Sequence, residues 1–324
     1  LESILPVVPV TVELVFPPLC EVVVVLPVVK SLLLLVVKSP LTVLLFCVVF
    51  LSLEIPGNIL PFGPNPVFLP AVIFVLFILG ATFCVPFGLG LGKAVFVFGH
   101  NGTNNVNTKN LVSNEGVVAA DATGVGTARH GGAAAEYGGD KAIYAYGTDG
   151  SNFVSTSNLI SNTGVVGSDV TGVGTTRQQA AAVGYGTDKA IFAYGDTSGG
   201  NFNGSNLVTN LGVVGTDVTG VGTARRRPGT STYGSSGTAI FCFGGRSGSF
   251  SNTRNLVSSS GVVASDASGA GTARGELAGT NYGGDKGIVG YGSSGSATNV
   301  SNLINSSGVV GSDVTGVGTS RVAL

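Results

Sequence analysis

The chain has 324 residues, yet it contains no Met and no Trp, only two His and four Cys, and only 10% charged residues. Each shortage excludes something. Sixteen Lys and Arg stand against seventeen Asp and Glu, spread singly apart from Arg225-Arg226-Arg227, for a net charge of −1, so the basic footprint of a nucleic-acid binder is missing. No nucleic-acid partner is expected. Cys20, Cys47, Cys84 and Cys242 lie far apart, without a CxxC pair or a Cys/His cluster that could close a tetrahedral site. No metal site is expected. His100 and His130 are the only imidazoles, neither beside a nucleophile motif, and the chain has no G-x-S-x-G elbow, no phosphate loop and no EF-hand loop. The reading is therefore non-enzymatic, with no catalytic residue and no cofactor. The absence of Met, with Leu at position 1, implies that the sequence does not begin at a translation start.

What is present falls into two unlike compositions. Residues 1–79 are almost entirely Val, Leu, Pro, Phe, Ile and Ser; residues 80–324 are Gly, Ser, Thr, Asn, Ala and Val, and the boundary is placed near Gly80. Three readings fit the first part. Val67 to Val85 is free of charge and close to bilayer-spanning length, which suits a membrane anchor. All the prolines but Pro228 lie from Pro6 to Pro86, and each removes a donor and fixes φ, which suits an irregular apolar domain rather than a helix. The favoured reading is a reverse-strand translation, because reading the opposite strand one base out of register turns Pro18 back to Pro6 into polar, Gly/Thr-rich sequence. A membrane partner is expected only if residues 67–85 are a genuine anchor.

The second part is a repeat, and self-similarity at a fixed period outranks any local motif. KAVFVFG (93–99), KAIYAYG (141–147), KAIFAYG (189–195), TAIFCFG (238–244) and KGIVGYG (286–292) recur at a period of about 48 residues. Asn-Leu follows at Asn110, Asn158, Asn206, Asn255 and Asn302, then Gly-Val-Val, then Asp121, Asp169, Asp217, Asp266 and Asp313. A Gly-x-Gly-Thr-x-Arg run closes each unit at Arg129, Arg177, Arg225, Arg274 and Arg321. Short apolar runs bounded by Gly, Asn, Asp and Ser predict strands and turns, not helices. In the second repeat they predict four strands, at 133–137, 142–146, 155–161 and 165–170. The fold class is thus all-β, and a repeated four-stranded meander predicts a β-propeller of about five blades, at about 93–140, 141–188, 189–237, 238–285 and 286–324. Residues 81–88 are expected to supply the first blade's inner strand. Residues 320–324 begin the strand that would either overlap to close the ring or open a further blade.

The run TTRQQAAAVGYGTDKAIFAYG (175–195), with Asn206-Leu207 and the Gly-Val-Val that follows, resembles the kelch family: Arg, a small apolar strand, a turn, then a strand ending in an aromatic and Gly. The resemblance covers residues 80–324, with two departures. The paired Gly that ends the second strand occurs only at Gly244-Gly245, and the late Trp is absent. KAIFGYG-type repeats of this kind imply a bacteriophage or environmental microbial protein, on a virion or extracellular surface. Copper oxidases of kelch type use two His and a Tyr/Cys pair; here Cys242 is far in sequence from both histidines.

Two sets of residues are candidates for function. The Asp and Arg of each repeat, eight apart, either form a charged ring along a channel or tie neighbouring blades together; recurrence in all five units favours the tie. Binding is placed instead where the units differ, on loops after the second strand: His100 and Asn101, Thr148 and Asp149, Asp196 and Thr197, Arg246 and Ser247, Ser293 and Ser294. The segment after the recurrent Arg varies too, at His130, Gln178-Gln179, Arg226-Arg227 and Gly275-Glu276. Arg225-Arg226-Arg227 reads as a solvated turn before a phosphate site. Tyr137, Tyr185, Tyr233 and Tyr282 read as inter-blade packing before a sugar platform. The expected role is a non-catalytic structural or recognition module that contacts a protein or glycan surface, with a membrane-anchored version or a channel enzyme as alternatives.

Overall fold

A computed structural model describes residues 94–322 and, further upstream, the strands β1 (Val10–Val15), β2 (Glu21–Leu26) and β3 (Leu35–Lys38). The chain divides into two compact units, Leu1–Pro86 and Phe87–Leu324. In the first, β1, β2 and β3 pair antiparallel in sequence order, with Val10 opposite Leu26 and Glu21 opposite both Val15 and Lys38. The candidate anchor at 67–85 and the candidate strand at 81–88 lie outside the described residues. No helix among the described residues is long and apolar enough to cross a membrane.

The second unit is a series of antiparallel sheets. The first pairs β4 (Ala94–His100) with β5 (Asn105–Val112). The next holds β6 (Ala133–Tyr137), β7 (Lys141–Ala145) and β8 (Ser157–Ile160), and the third β9 (Ala181–Tyr185), β10 (Lys189–Thr197) and β11 (Gly200–Val208). The fourth holds β12 (Gly229–Tyr233), β13 (Thr238–Arg246), β14 (Ser249–Val257) and β15 (Ala267–Ser268); the fifth holds β16 (Ala278–Tyr282), β17 (Lys286–Gly290) and β18 (Ser301–Ile304). The class is all-β. Positive-φ glycines close the first hairpin of each complete sheet, as Gly138 and Gly139 do between β6 and β7.

The number of strands per sheet differs from the four expected. Only β15 forms as a regular fourth strand; elsewhere the segment after Gly-Val-Val meets its neighbour at isolated bridges, such as Ile160 with Val166 and Ser157 with Val170. The reason lies in composition: this stretch is interrupted by Gly and Asp, which are depleted in strands. A side chain holds it instead of a full ladder. Asn158 Nδ2 donates to the carbonyl of Gly167 at 2.9 Å and to Asp169 Oδ1 at 2.9 Å, and Asn206, Asn255 and Asn302 repeat both bonds.

Successive sheets pack face to face. The middle strand carries alternating small and aromatic residues, so that Tyr146 of one sheet meets Phe192 of the next edge-on at 5.3 Å, and Tyr194 meets Phe241 at 5.3 Å. Just before its Gly the middle strand kinks. Phe98, Tyr146, Tyr194, Phe243 and Tyr291 all have φ between 59° and 65°, a left-handed conformation unusual for an aromatic residue. The β10 and β13 ladders slip there, at Ala193/Gly195 and Cys242/Gly244. Cys242 is buried in this core, and burial raises its thiol pKa to about 12.

Candidate functional site

The kinked aromatic is one half of a recurrent site, and the Arg that closes the repeat is the other. Arg177 stacks over the Tyr146 ring at 3.7 Å, Arg225 over Tyr194 at 3.9 Å, and Arg274 over Phe243 at 4.5 Å. Each guanidinium then reaches the following sheet. Nη2 of Arg129, Arg177, Arg225 and Arg274 donates to Oδ1 of Asn158, Asn206, Asn255 and Asn302 at 2.5 to 2.8 Å, and Nη1 donates to the carbonyl of the Thr two residues earlier. The nearest carboxylate is not the one eight residues back. Arg129 faces Asp169 at 3.7 Å, Arg225 faces Asp266 at 3.9 Å and Arg274 faces Asp313 at 3.8 Å, each in the next unit.

These four Arg side chains have no exposed surface, so they present no charge to a channel. Burial depresses the pKa of Arg129, Arg177 and Arg274, opposed for Arg129 first by Tyr144 and then by Asp169, for Arg177 first by Tyr146 and then by Asp217, and for Arg274 first by Asp313. The partner carboxylates behave oppositely. Burial pushes Asp169 up, but bonds from Thr127 and Asn158 and the charge of Arg129 outweigh it and hold the carboxyl below its ordinary value. Asp217, Asp266 and Asp313 shift down for the same reasons. In every case a Thr of the preceding unit donates its hydroxyl to the Asp at 2.6 Å, from Thr127, Thr175, Thr223 and Thr272.

The residues singled out for binding sit at one edge of the sheets, and here the structure corrects their form. The segments 100–109, 196–205 and 245–254 are not loops but mostly strand: β10 runs to Thr197 and β11 starts at Gly200, and β13 and β14 turn likewise between Arg246 and Ser249. A two-residue turn with Gly fits these strands' twist, whereas the longer segments after Thr148 and Ser293 stay irregular. Side chains within each tip hold it. His100 Nδ1 accepts from Gly102 N, Asn101 Oδ1 from Thr103 N and Asn104 N, Asp149 Oδ1 from Ser151 N and Asn152 N, and Ser293 Oγ from Gly295 N. Thr197 Oγ1 donates to the Gly200 carbonyl, Ser294 N to that of Ser296, and Arg246 is exposed.

The same edge also carries the second variable set, a relation invisible in the sequence. His130 bridges Thr148, Gln178 bridges Asp196, Arg226 bridges Gly245 and Gly275 bridges Ser293, so each post-Arg segment lies beside the hairpin of its own sheet. Neighbouring sheets are tied there as well. Gln179 N donates to the Gly131 carbonyl, Arg227 N to Gln179, and Glu276 N to Arg227, a ladder with one rung per repeat. The basic triplet is split three ways: Arg225 is buried, Arg226 pairs with Asp196 at 3.1 Å, and Arg227 pairs with Glu276. Asn105 and Asn201, not singled out in the sequence, also cross between sheets. Asn105 Oδ1 lies 2.6 Å from His130 Nδ1, and Asn201 Oδ1 accepts from Ser247 N at 2.9 Å. The rings of His100 and His130 are 5.2 Å apart, and burial first, then His100 and Arg227, lowers the His130 pKa. Among the described residues, no three His, Cys, Asp or Glu side chains gather to hold a metal.

At the opposite, turn-bearing edge a cleft of about 320 Å³ is lined by residues of four sheets, among them Tyr137, Tyr185, Tyr233, Glu136 and Lys189. The three Tyr residues are buried. Tyr137 lies over Gly212 and Tyr185 over Gly261, so close that a Cβ at either glycine would fall 2.9 Å from the ring. Their ring faces are used between sheets, and Tyr282 alone of the four is exposed. No protein-family model matches this chain, and no curated protein matches it significantly.

Proposed function

We propose that residues 80–324 form kelch-like propeller blades that act as a non-catalytic recognition module, binding a protein or glycan surface through the edge that carries both variable sets. The observation that carries this reading is their pairing. Two stretches that vary between repeats lie side by side on one edge, above a core in which Arg, Asn, Asp and Thr repeat without change. A rigid scaffold with variable tips is what recognition requires. Support for blades around an axis comes from the turns of four sheets that line one cleft, and from the bonds between those turns, Gly138 N to Asp188, Gly186 N to Gly237 and Gly234 N to Asp285. A virion or extracellular surface is the setting proposed for such a module.

The test is to replace the tips at 101–104, 149–152, 198–199, 247–248 and 294–296 with short Asn-Gly turns, and to measure binding to a glycan array and to a panel of purified surface proteins. Binding by the parent chain that is lost in the variant, at an unchanged melting temperature, supports the reading. Binding that survives replacement of all five tips overturns it.

A further inference from the structure

The chain has two Asn-Gly pairs, Asn101-Gly102 and Asn203-Gly204, and the fold sets them in opposite surroundings. In such a pair the backbone nitrogen after Asn approaches the side-chain amide with little hindrance, because Gly has no Cβ. Asn203 lies inside β11, its Nδ2 donates to the Gly222 carbonyl at 2.8 Å, and Gly204 is buried. Asn101 lies at the tip between β4 and β5, exposed together with Gly102, Thr103 and Asn104. This exposure belongs to the tip and not to the place of its sheet in the series. Gly150, Ser151 and Asn152 are exposed at the corresponding tip of the β6–β8 sheet, which has Phe98 stacked on one side and Phe192 on the other.

The bonds of the first tip are those that attack on the Asn101 side chain requires. Gly102 N, the nucleophile, donates to His100 Nδ1 at 3.0 Å, so an imidazole in its neutral, Nε2-protonated form already accepts the proton that must leave. Asn101 Oδ1 accepts from Thr103 N at 3.0 Å and from Asn104 N at 2.8 Å, two donors on the oxygen that gains charge when Cγ becomes tetrahedral. The next repeat carries the product residue in the same turn. Asp149 Oδ1 accepts from Ser151 N at 2.8 Å and from Asn152 N at 2.7 Å, and Asp149 N donates to the Asn152 carbonyl at 3.1 Å, as Asn101 N does to Asn104. The bonds from Asn152 and Ser151 hold the Asp149 carboxyl below its ordinary pKa, so this turn favours a carboxylate. Thr148 stands where His100 does and accepts from Gly150 N through Oγ1 at 3.2 Å, keeping the bond without the base.

We infer that Asn101 is a site of self-catalysed deamidation, with His100 as the base and the Thr103 and Asn104 amides as the oxyanion hole. His100 Nδ1 takes the Gly102 amide proton as that nitrogen forms a bond to Asn101 Cγ. The tetrahedral intermediate receives the proton at Nδ2, the bond from Cγ to Nδ2 breaks, and ammonia leaves a five-membered succinimide. Water then opens the ring at either carbonyl, giving Asp or isoaspartate at position 101, with no oxidant or cofactor consumed. The change adds a negative charge beside His100, whose ring lies 5.2 Å from that of His130, on the variable edge. It does not depend on what that edge binds.

Peptide mapping by mass spectrometry tests it, on the full chain incubated at neutral pH both folded and in urea, by following the replacement of NH2 by OH at each Asn. In the folded chain Asn101 should convert at least about tenfold faster than in urea, a modest figure for general base catalysis, whereas Asn203 should convert more slowly folded than unfolded. His100→Thr keeps the turn's bond in the form that Thr148 gives it but removes the base. It should slow conversion of Asn101 at least about tenfold, with the melting temperature and the rate at Asn203 unchanged. An Asn101 that reacts no faster in the folded parent than in urea overturns the inference, and that comparison needs no variant. A His100→Thr chain that folds and converts Asn101 at the parent's rate overturns it as well, since the imidazole is then not the base.

Discussion

Phe192 and Phe96 hold the same place in their sheets, yet one is fully buried and the other 62% exposed. Arg177 and Arg321 differ in the same way: both stack on a kinked Tyr at 3.7 Å, but only Arg177 also reaches an Asn in a following sheet. The stack of Arg on its aromatic is the same in interior and end sheets. The comparison therefore separates what one repeat makes for itself from what a neighbour adds, as in other repeat architectures, where stability is a sum of unit and interface contributions.

Breaking the buried side of the comparison should cost most. Arg177→Ala leaves Asn206 and Asp217 without their cation, and removal of one partner from a buried network costs about 3–5 kcal/mol; Arg321→Ala should stay within about 0.5 kcal/mol, as for surface changes generally. Urea unfolding of the two variants at low protein concentration checks the contrast. Phe192→Ala should lose a similar 3–5 kcal/mol through the cavity it leaves, and Phe96→Ala almost nothing, in the same assay.

Acid should loosen the contacts between sheets. Because Asp169, Asp217, Asp266 and Asp313 have folded-state pKa values below the ordinary 3.8, their contribution is present above that value and is lost as pH falls through the depressed folded values. Melting temperature followed into acid should drop through that window, and the Asp217→Asn variant should show a shallower drop. Smaller still, Thr223→Val should cost about 1 kcal/mol for one hydrogen bond, and Thr319→Val nothing measurable in dilute protein. Lastly, Cys242 should resist alkylation until the chain unfolds, since its thiol is buried and its pKa is about 12; labelling of native protein at this position would contradict the packing.

Much of the scaffold was legible. The strands 133–137, 142–146 and 155–161 differ from β6, β7 and β8 by two residues or fewer, since alternation between Gly-rich turns is a local signal. The fourth strand was not legible in the same way, because Val165–Val170 alternates like a strand while its polar residues bond to Asn158 instead of a ladder. The recurrence of Asp and Arg in every unit favoured a tie between neighbouring units, but the spacing of eight did not say which Asp meets which Arg. Each Arg instead meets the Asp of the following unit, some 40 residues on, as Arg129 meets Asp169.

The sequence by itself determined the all-β class, the period and the recurrent chemistry of each unit, because these depend on neighbours along the chain. Only the tertiary structure decided that the two variable sets share one edge, and that Arg225, Arg226 and Arg227 have three different partners. Identical motifs acquire different burial according to what stacks on them, and stacking is a property of pairs of sheets that no single repeat encodes.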